Sequence, residues 1–176
     1  MYNRKHYIED CVNSVLNQTF QDFEIIIRDD NSTDGVFEFV QEKYSKEIST
    51  GKIKLFRNEE NLGEGKTTNK LILDATGKYF TFLHNDDIYM PYALQHLYEV
   101  AENFSADVVH ASGFFVTDDE NIRNLKFSPT CYDRHPVNKV EVMSDNPTER
   151  FKEWHELGTF HDIQYNIFNR RFIYKS

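Results

Sequence analysis

Over the first 121 residues, stretches with helical spacing alternate with short apolar runs, and this alternation restricts the fold more than any other feature of the chain. Residues 5–18 put Ile8, Cys11, Val12, Val15 and Leu16 on one helical face. "FEIIIRDD" (23–30) is a β-branched run ending in charge, the pattern of a buried strand. A second helical pattern, 32–48, groups Val36, Phe39, Val40 and Tyr44, and "KIKLFRN" (52–58) reads as a short strand. Residues 64–77 read as a helix stopped by Gly77 in the C′ position. A strand at 78–84, a helix at 90–104 with Pro91 in its first turn, and a strand with a polar turn at 106–121 complete the series. Such alternation predicts an α/β fold, with a mixed, mainly parallel sheet flanked by helices. In such sheets ligands bind beyond the carboxyl ends of the strands.

Two of the predicted strands end in paired carboxylates, "RDDNSTDG" at 28–35 and "HNDD" at 84–87. Adjacent like charges repel, and burying either is costly unless something pairs with it. Asp86 and Asp87 therefore either face water in a turn or hold a cation. Oxygen ligands of this kind suit Mg²⁺ or Mn²⁺, held by one or two carboxylates together with substrate phosphates. The first acidic loop is no EF-hand, because Gln41 stands where the bidentate glutamate belongs and no helix precedes it. Ser32 or Thr33 is expected to cap the following helix. "NLGEGKTT" (61–68) ends like a phosphate-binding loop, but Glu60 occupies the position of its first glycine. What remains there is Lys66 at a helix N-terminus, placed either for a phosphate or simply for water.

The 176 residues carry a formal net charge of -9, with 39% hydrophobic and 28% charged residues. That composition fits one soluble domain spanning 1–176 and argues against nucleic-acid binding. An anionic ligand must then be met locally, by a cation or by backbone amides. Of the two cysteines, Cys11 lies on an apolar helical face, so a free buried thiol is expected, in keeping with a reducing cytoplasm. "MYNRKHYIED" is polar from its second residue and is no signal peptide, and no apolar run approaches a membrane span. Past residue 121 the periodicity loosens, with an irregular stretch at 121–147, a short helix at 148–158 and a mixed segment at 160–176. His84, His110, His155 and His161 lack the paired spacing of zinc ligands.

Taken in order, "YNRKHYIEDCVNSVLNQTFQDFEIIIRDDNSTDG", "NEENLGEGKTTNKLILDATGKYFTFLHNDDIYMP" and "YNIFNRRFI" resemble successive blocks of the family 2 glycosyltransferases with the GT-A fold. The likeness runs from residue 2 to 176, and the ordered series is more specific than any one motif. It implies a Rossmann-like nucleotide-diphospho-sugar transferase fold, with a nucleotide-sugar-binding half at 1–121 and an incomplete acceptor-side half at 122–176. It implies inverting transfer of a sugar from a nucleotide-diphospho-sugar, a UDP-sugar favoured, to an acceptor hydroxyl on a glycan or lipid-linked carrier, in the building of a surface polysaccharide. Carried over, Tyr2 sits against the nucleobase, Asp30 accepts from its imide, Lys66 and Asn69 approach the base and diphosphate, and Asp86, with Asp87 beside it, binds the metal.

Three departures accompany the likeness. His84 stands at the first position of the family's Asp-x-Asp, so metal binding leans on Asp86. The apolar strand that precedes Tyr2-Asn3 in the family is absent, which leaves a sheet position unpaired. The family's catalytic base lies beyond the "RRF" region, and the nearest carboxylate here is Asp162. The chain is thus expected to be shortened at both ends, and a non-catalytic domain that binds a nucleotide sugar, or that serves only as a partner of a full enzyme, is the alternative. A sugar-phosphate nucleotidyltransferase fits less well, because "YNRKHYIED" has no glycine. The terminal "NRRFIYK" is basic and aromatic, which permits peripheral contact at the inner face of a membrane and equally fits a solvated helix start.

Overall fold

The computed structural model describes residues 1–110 and 166–170. The irregular stretch, the short helix and Asp162 expected at 121–162 lie outside the described residues. In chain order the elements are α1 (Ile8–Leu16), β1 (Ile25–Asp29), α2 (Val36–Lys43), α3 (Ser45–Ser49), β2 (Ile53–Arg57), α4 (Glu64–Asp74), β3 (Tyr79–Thr81), α5 (Ala93–Asn103), β4 (Val108–His110) and β5 (Asn166–Asn169). The expected alternation is present. β1 and β2 pair in parallel, from Ile25 opposite Ile53 to Asp29 opposite Arg57, with α2 and α3 as the crossover. β3 and β4 each pair antiparallel with β5, which lies between them, so those two run in the same direction. The described strands thus form two sheets, the parallel pair β1-β2 and the antiparallel β3-β5-β4, in which a late strand returns between two earlier ones.

The main core forms where α1 and α2 cover β1 and β2. Ile8, Val12, Ile27, Val36, Val40, Tyr44 and Ile53 are buried together there. A second, smaller cluster joins Leu97 and Ala101 of α5 to Ile167 of β5, with Tyr79 and Val109 packed against it. Cys11 is buried as a free thiol, as expected, and burial together with the nearby Asp87 and Asp86 pushes it up to about 12.

Element ends depart from the sequence pattern where distant contacts decide them. The helix expected over 32–48 breaks at Tyr44, whose backbone leaves helical geometry at φ -106° and ψ 27°. The Tyr44 ring is buried, and its hydroxyl lies 3.1 Å from Asn13 Oδ1 and 3.3 Å from the Glu9 carbonyl on α1. α4 stops at Asp74, not at Gly77, and Ala75 is already extended. Asp74 is held there by an ion pair with Arg28 of β1. α5 begins at Ala93, two residues after Pro91, and its start is fixed from outside. Gln18, buried at the end of α1, accepts the Leu94 N–H at 3.0 Å and donates to the Met90 carbonyl at 2.7 Å.

On the side away from β2, Met1 makes the two bonds of a parallel bridge to β1. Its amino group donates to the Arg28 carbonyl at 2.7 Å, and its carbonyl accepts from the Asp30 N–H at 2.9 Å. Beside that bridge a cavity of about 620 Å³ separates β1 from β3, lined among others by Val12, Ile26, Leu71, Tyr79 and Thr81.

The side chain with most to lose in the main core is Ile53, only 1% exposed. Ile53→Ala is expected to cost about 2–5 kcal/mol, the range for large-to-small changes in a packed core. Urea unfolding should show a lower midpoint at an unchanged slope; a midpoint within error of the parent contradicts the packing described.

Candidate functional site

β1 and β2 run in parallel and end on the same rim, and the loops that leave them carry the first acidic pair. Asp29 is wholly buried. Its carboxylate accepts from the Ser32 N–H and hydroxyl and lies 3.2 Å from Arg57 Nε of β2. Arg57 also donates to the Ser32 carbonyl at 2.8 Å, so one guanidinium neutralises the buried charge and closes the turn after β1. Asn31 in that turn has φ 63°, a left-handed conformation that asparagine tolerates. Ser32 is thereby used up, and it does not cap α2 as expected. The residue before α2 is Gly35, at φ 77°, and the Val36 N–H is taken by Asp34 Oδ1.

Asp30, 5% exposed, serves the next loop. Its Oδ1 accepts from Asn58 Nδ2 at 2.8 Å and from the Leu62 N–H at 2.9 Å, and its Oδ2 accepts from the Gly63 N–H at 2.9 Å. Asn58, itself 3% exposed, also donates to the Thr67 hydroxyl of α4 and accepts from Arg28 and Lys70. One amide thus joins β1, β2 and α4. Burial alone would raise the Asp30 carboxyl. The bonds from Leu62, Asn58, Thr67 and Gly63 outweigh it and hold the group below the ordinary carboxylate value.

The second acidic pair sits in different surroundings. His84 to Asp87 form a turn closed by the Asp87 N–H on the His84 carbonyl at 3.1 Å, and Asp86 is exposed. The N-terminal arm connects this turn to the first loop. The Asn3 N–H donates to Ser32 Oγ at 3.0 Å, the Lys5 N–H to Asp34 Oδ2 at 2.9 Å, and the Thr33 N–H to Asn3 Oδ1 at 2.9 Å. From this stitched backbone Arg4 reaches across to Asp86, Nη2 to Oδ2 at 3.9 Å.

Of the residues singled out in the sequence, Tyr2 lies in the arm, Asp30 is bonded to it through the Met1 carbonyl, and Asp86, with Asp87 next in the chain, is reached from it by Arg4. Lys66 and Asn69 lie exposed on α4, whose N-terminus follows the loop that Asp30 anchors. Asn58, Thr67, Arg57 and Arg4 were missed. An asparagine after a strand and a threonine inside a helical pattern carry no signal until the fold buries them together. Among the described residues no three His, Cys, Asp or Glu side chains come together as a metal cage. The donors at hand, Asp86 and Asp87, fit a hard cation completed by phosphate oxygens from a substrate. His84 is exposed and its carbonyl accepts the Cys11 thiol at 3.4 Å.

Comparison with known proteins adds a family. The family model described as Glycosyl transferase family 2 matches residues 1–176. The Uncharacterized glycosyltransferase MJ1057 of Methanocaldococcus jannaschii is 31% identical over 140 residues, which is 78% of this chain and 47% of that protein. The Putative teichuronic acid biosynthesis glycosyltransferase TuaG of Bacillus subtilis is 43% identical over 86 residues, 49% of this chain and 33% of that one. The chain thus spans less than half the length of these curated relatives. Among solved structures, S. aureus TarS 1-349 in complex with UDP is similar at TM-score 0.58 and 28% identity, over 67% of this chain and 36% of TarS. The same protein with UDP-GlcNAc is similar over 99% of this chain and 44% of its own, at TM-score 0.68 and 21% identity. Mannosyltransferase PcManGT from Pyrobaculum calidifontis, in complex with GDP-Man and Mn2+, has a TM-score of 0.56 at 19% identity, over 71% of this chain and 36% of that one. These neighbours have the GT-A fold, and this chain shares it.

Asp30→Asn keeps the shape of the side chain but turns an N–H₂ toward one of three donors, so a loss of about 1–3 kcal/mol is expected at pH 7. The folded carboxyl titrates below its unfolded value of about 4. Its stabilising effect is therefore full above that pH and is lost as pH falls through the lowered folded value. Urea unfolding of parent and variant should show a gap at pH 7 that shrinks toward pH 3; an equal gap at both pH values rules out the carboxylate as the anchor.

Proposed function

The chain belongs to glycosyl transferase family 2, and from that premise we propose that it carries the donor site of an inverting glycosyltransferase. The reaction is transfer of a sugar from a nucleotide-diphospho-sugar, a UDP-sugar by preference, to an acceptor hydroxyl on a glycan or a lipid-linked carrier. The observation that carries this reading is the N-terminal arm, which is bonded to the turn after β1 and reaches Asp86 in the turn that follows β3.

In this reading Tyr2, 49% exposed, lies against the nucleobase. Asp30, at the rim beside the arm, accepts the imide N–H. Lys66 and Asn69 face the base and diphosphate from α4 and its N-terminus. Asp86, with Asp87 beside it, holds a Mg²⁺ or Mn²⁺ ion, which when bound neutralises the departing diphosphate. Residues 1–121 form the donor half and 122–176 the acceptor half. A carboxylate, with Asp162 as this chain's candidate, takes the proton from the acceptor hydroxyl. The preference for UDP rests on the UDP and UDP-GlcNAc complexes of TarS, and a role in surface polysaccharide synthesis on the teichuronic acid name of TuaG. Among the described residues no helix is long and apolar enough to cross a membrane. The reading places the work in the cytoplasm, at the inner face of the membrane when the acceptor is lipid-linked.

A domain that binds the donor without turning it over is the second reading. Calorimetry separates the readings from failure of both. UDP should bind in the presence of Mn²⁺, and Asp86→Ala and Asp30→Ala should each abolish binding. Release of free sugar from a UDP-sugar then marks the enzyme, and binding without release marks the second reading. No binding of UDP, GDP or dTDP sinks the donor site.

A further inference from the structure

We propose that Arg4 is the residue that receives the donor's diphosphate, and that it is held on Asp86 until a divalent cation takes that carboxylate. The proposal rests on the donor-site reading above and adds to it an exchange of partners within the site.

The pair is built to be exchanged. Arg4 Nη2 lies 3.9 Å from Asp86 Oδ2, longer than a hydrogen bond, with the two side chains 50% and 42% exposed. An exposed pair of this kind is held weakly and gives way to a stronger partner. The backbone on either side of Arg4 is fixed, because Asn3 and Lys5 donate their N–H groups to Ser32 and Asp34. The Cα is thus anchored while the guanidinium is free to turn. Among the described residues, Asp86 is the one side chain that pairs with it.

Charge gives the exchange its direction. Asp34 and Asp86 lie against the arm, so a diphosphate arriving there needs a cation to meet it. The neighbouring Lys5 is turned toward the Phe39 ring, its Nζ 5.9 Å from the centroid. A guanidinium matches a pair of phosphate oxygens in a way that an ammonium does not. Once a divalent cation occupies Asp86, Arg4 loses its carboxylate and gains a diphosphate within reach.

The test uses the full chain in calorimetry with saturating Mn²⁺ and three probes: UDP, UMP and uridine. Circular dichroism and urea unfolding confirm that Arg4→Ala folds as the parent does, as an exposed position should. Arg4→Ala is expected to weaken UDP about ten-fold or more, to weaken UMP less and to leave uridine unchanged. Arg4→Lys should recover part of the loss. Binding of Mn²⁺ alone, followed by the electron paramagnetic resonance of the free ion, should be as tight in Arg4→Ala as in the parent, or tighter. Unchanged UDP affinity, or equal weakening of UDP and uridine, overturns the assignment, and so does weaker Mn²⁺ binding. If the parent itself binds no UDP, the donor-site reading fails and this assignment falls with it.

Discussion

Two carboxylates side by side at the buried end of β1 are the constraint around which this chain is arranged. Neither can stay charged in the interior unless donors or a cation answer it. Asp29 is answered by Ser32 and by Arg57 from the neighbouring strand, and Asp30 by Asn58 and two backbone N–H groups. These answers come from different elements, so meeting them fixes where the turn after β1, the end of β2 and the loop before α4 must lie. Asn58 extends the network through Arg28, whose guanidinium also holds Asp74 and stacks 4.7 Å from the Phe56 ring. α4 is thereby tied to the sheet by polar bonds at its start and by an ion pair at its end.

The second acidic pair has the same residue types and the opposite surroundings. Asp86 is exposed and shares a loose pair with Arg4, while Asp29 and Asp30 are sealed. One pair is structural and rigid, and the other stays available to a ligand. The N-terminal arm joins the two halves with a backbone that is fixed and side chains that are not.

The α/β character, the approximate span of each element and the two acidic rims could be read from periodicity and from the position of charge at strand ends. The late strand at 166–169 was read as strand-like or mixed, but its place between β3 and β4 was not legible, because it depends on pairing across a long separation. Element ends were misread wherever a distant group set them, as at Tyr44, Asp74 and Ala93. Local pattern assigned Ser32 to capping, whereas the fold gave it to Asp29 and the arm. Asn58 and Thr67 were invisible, since a buried amide hub has no period.

The sequence by itself determined which residue types lie at the rim: hydrophobic spacing and terminal charge are local properties of the chain. Its ordered motifs were also enough to name the family. Only the tertiary structure decided what each carboxylate does. A carboxylate's role follows from burial and from the donors that meet it, and those donors arrive from β2, the loop before α4 and the arm, in the longest case from Arg4 to Asp86. Asp30 and Asp86 look alike in the sequence. One became an anchor and the other an open seat because the chain brought three donors to the first and one exposed arginine to the second.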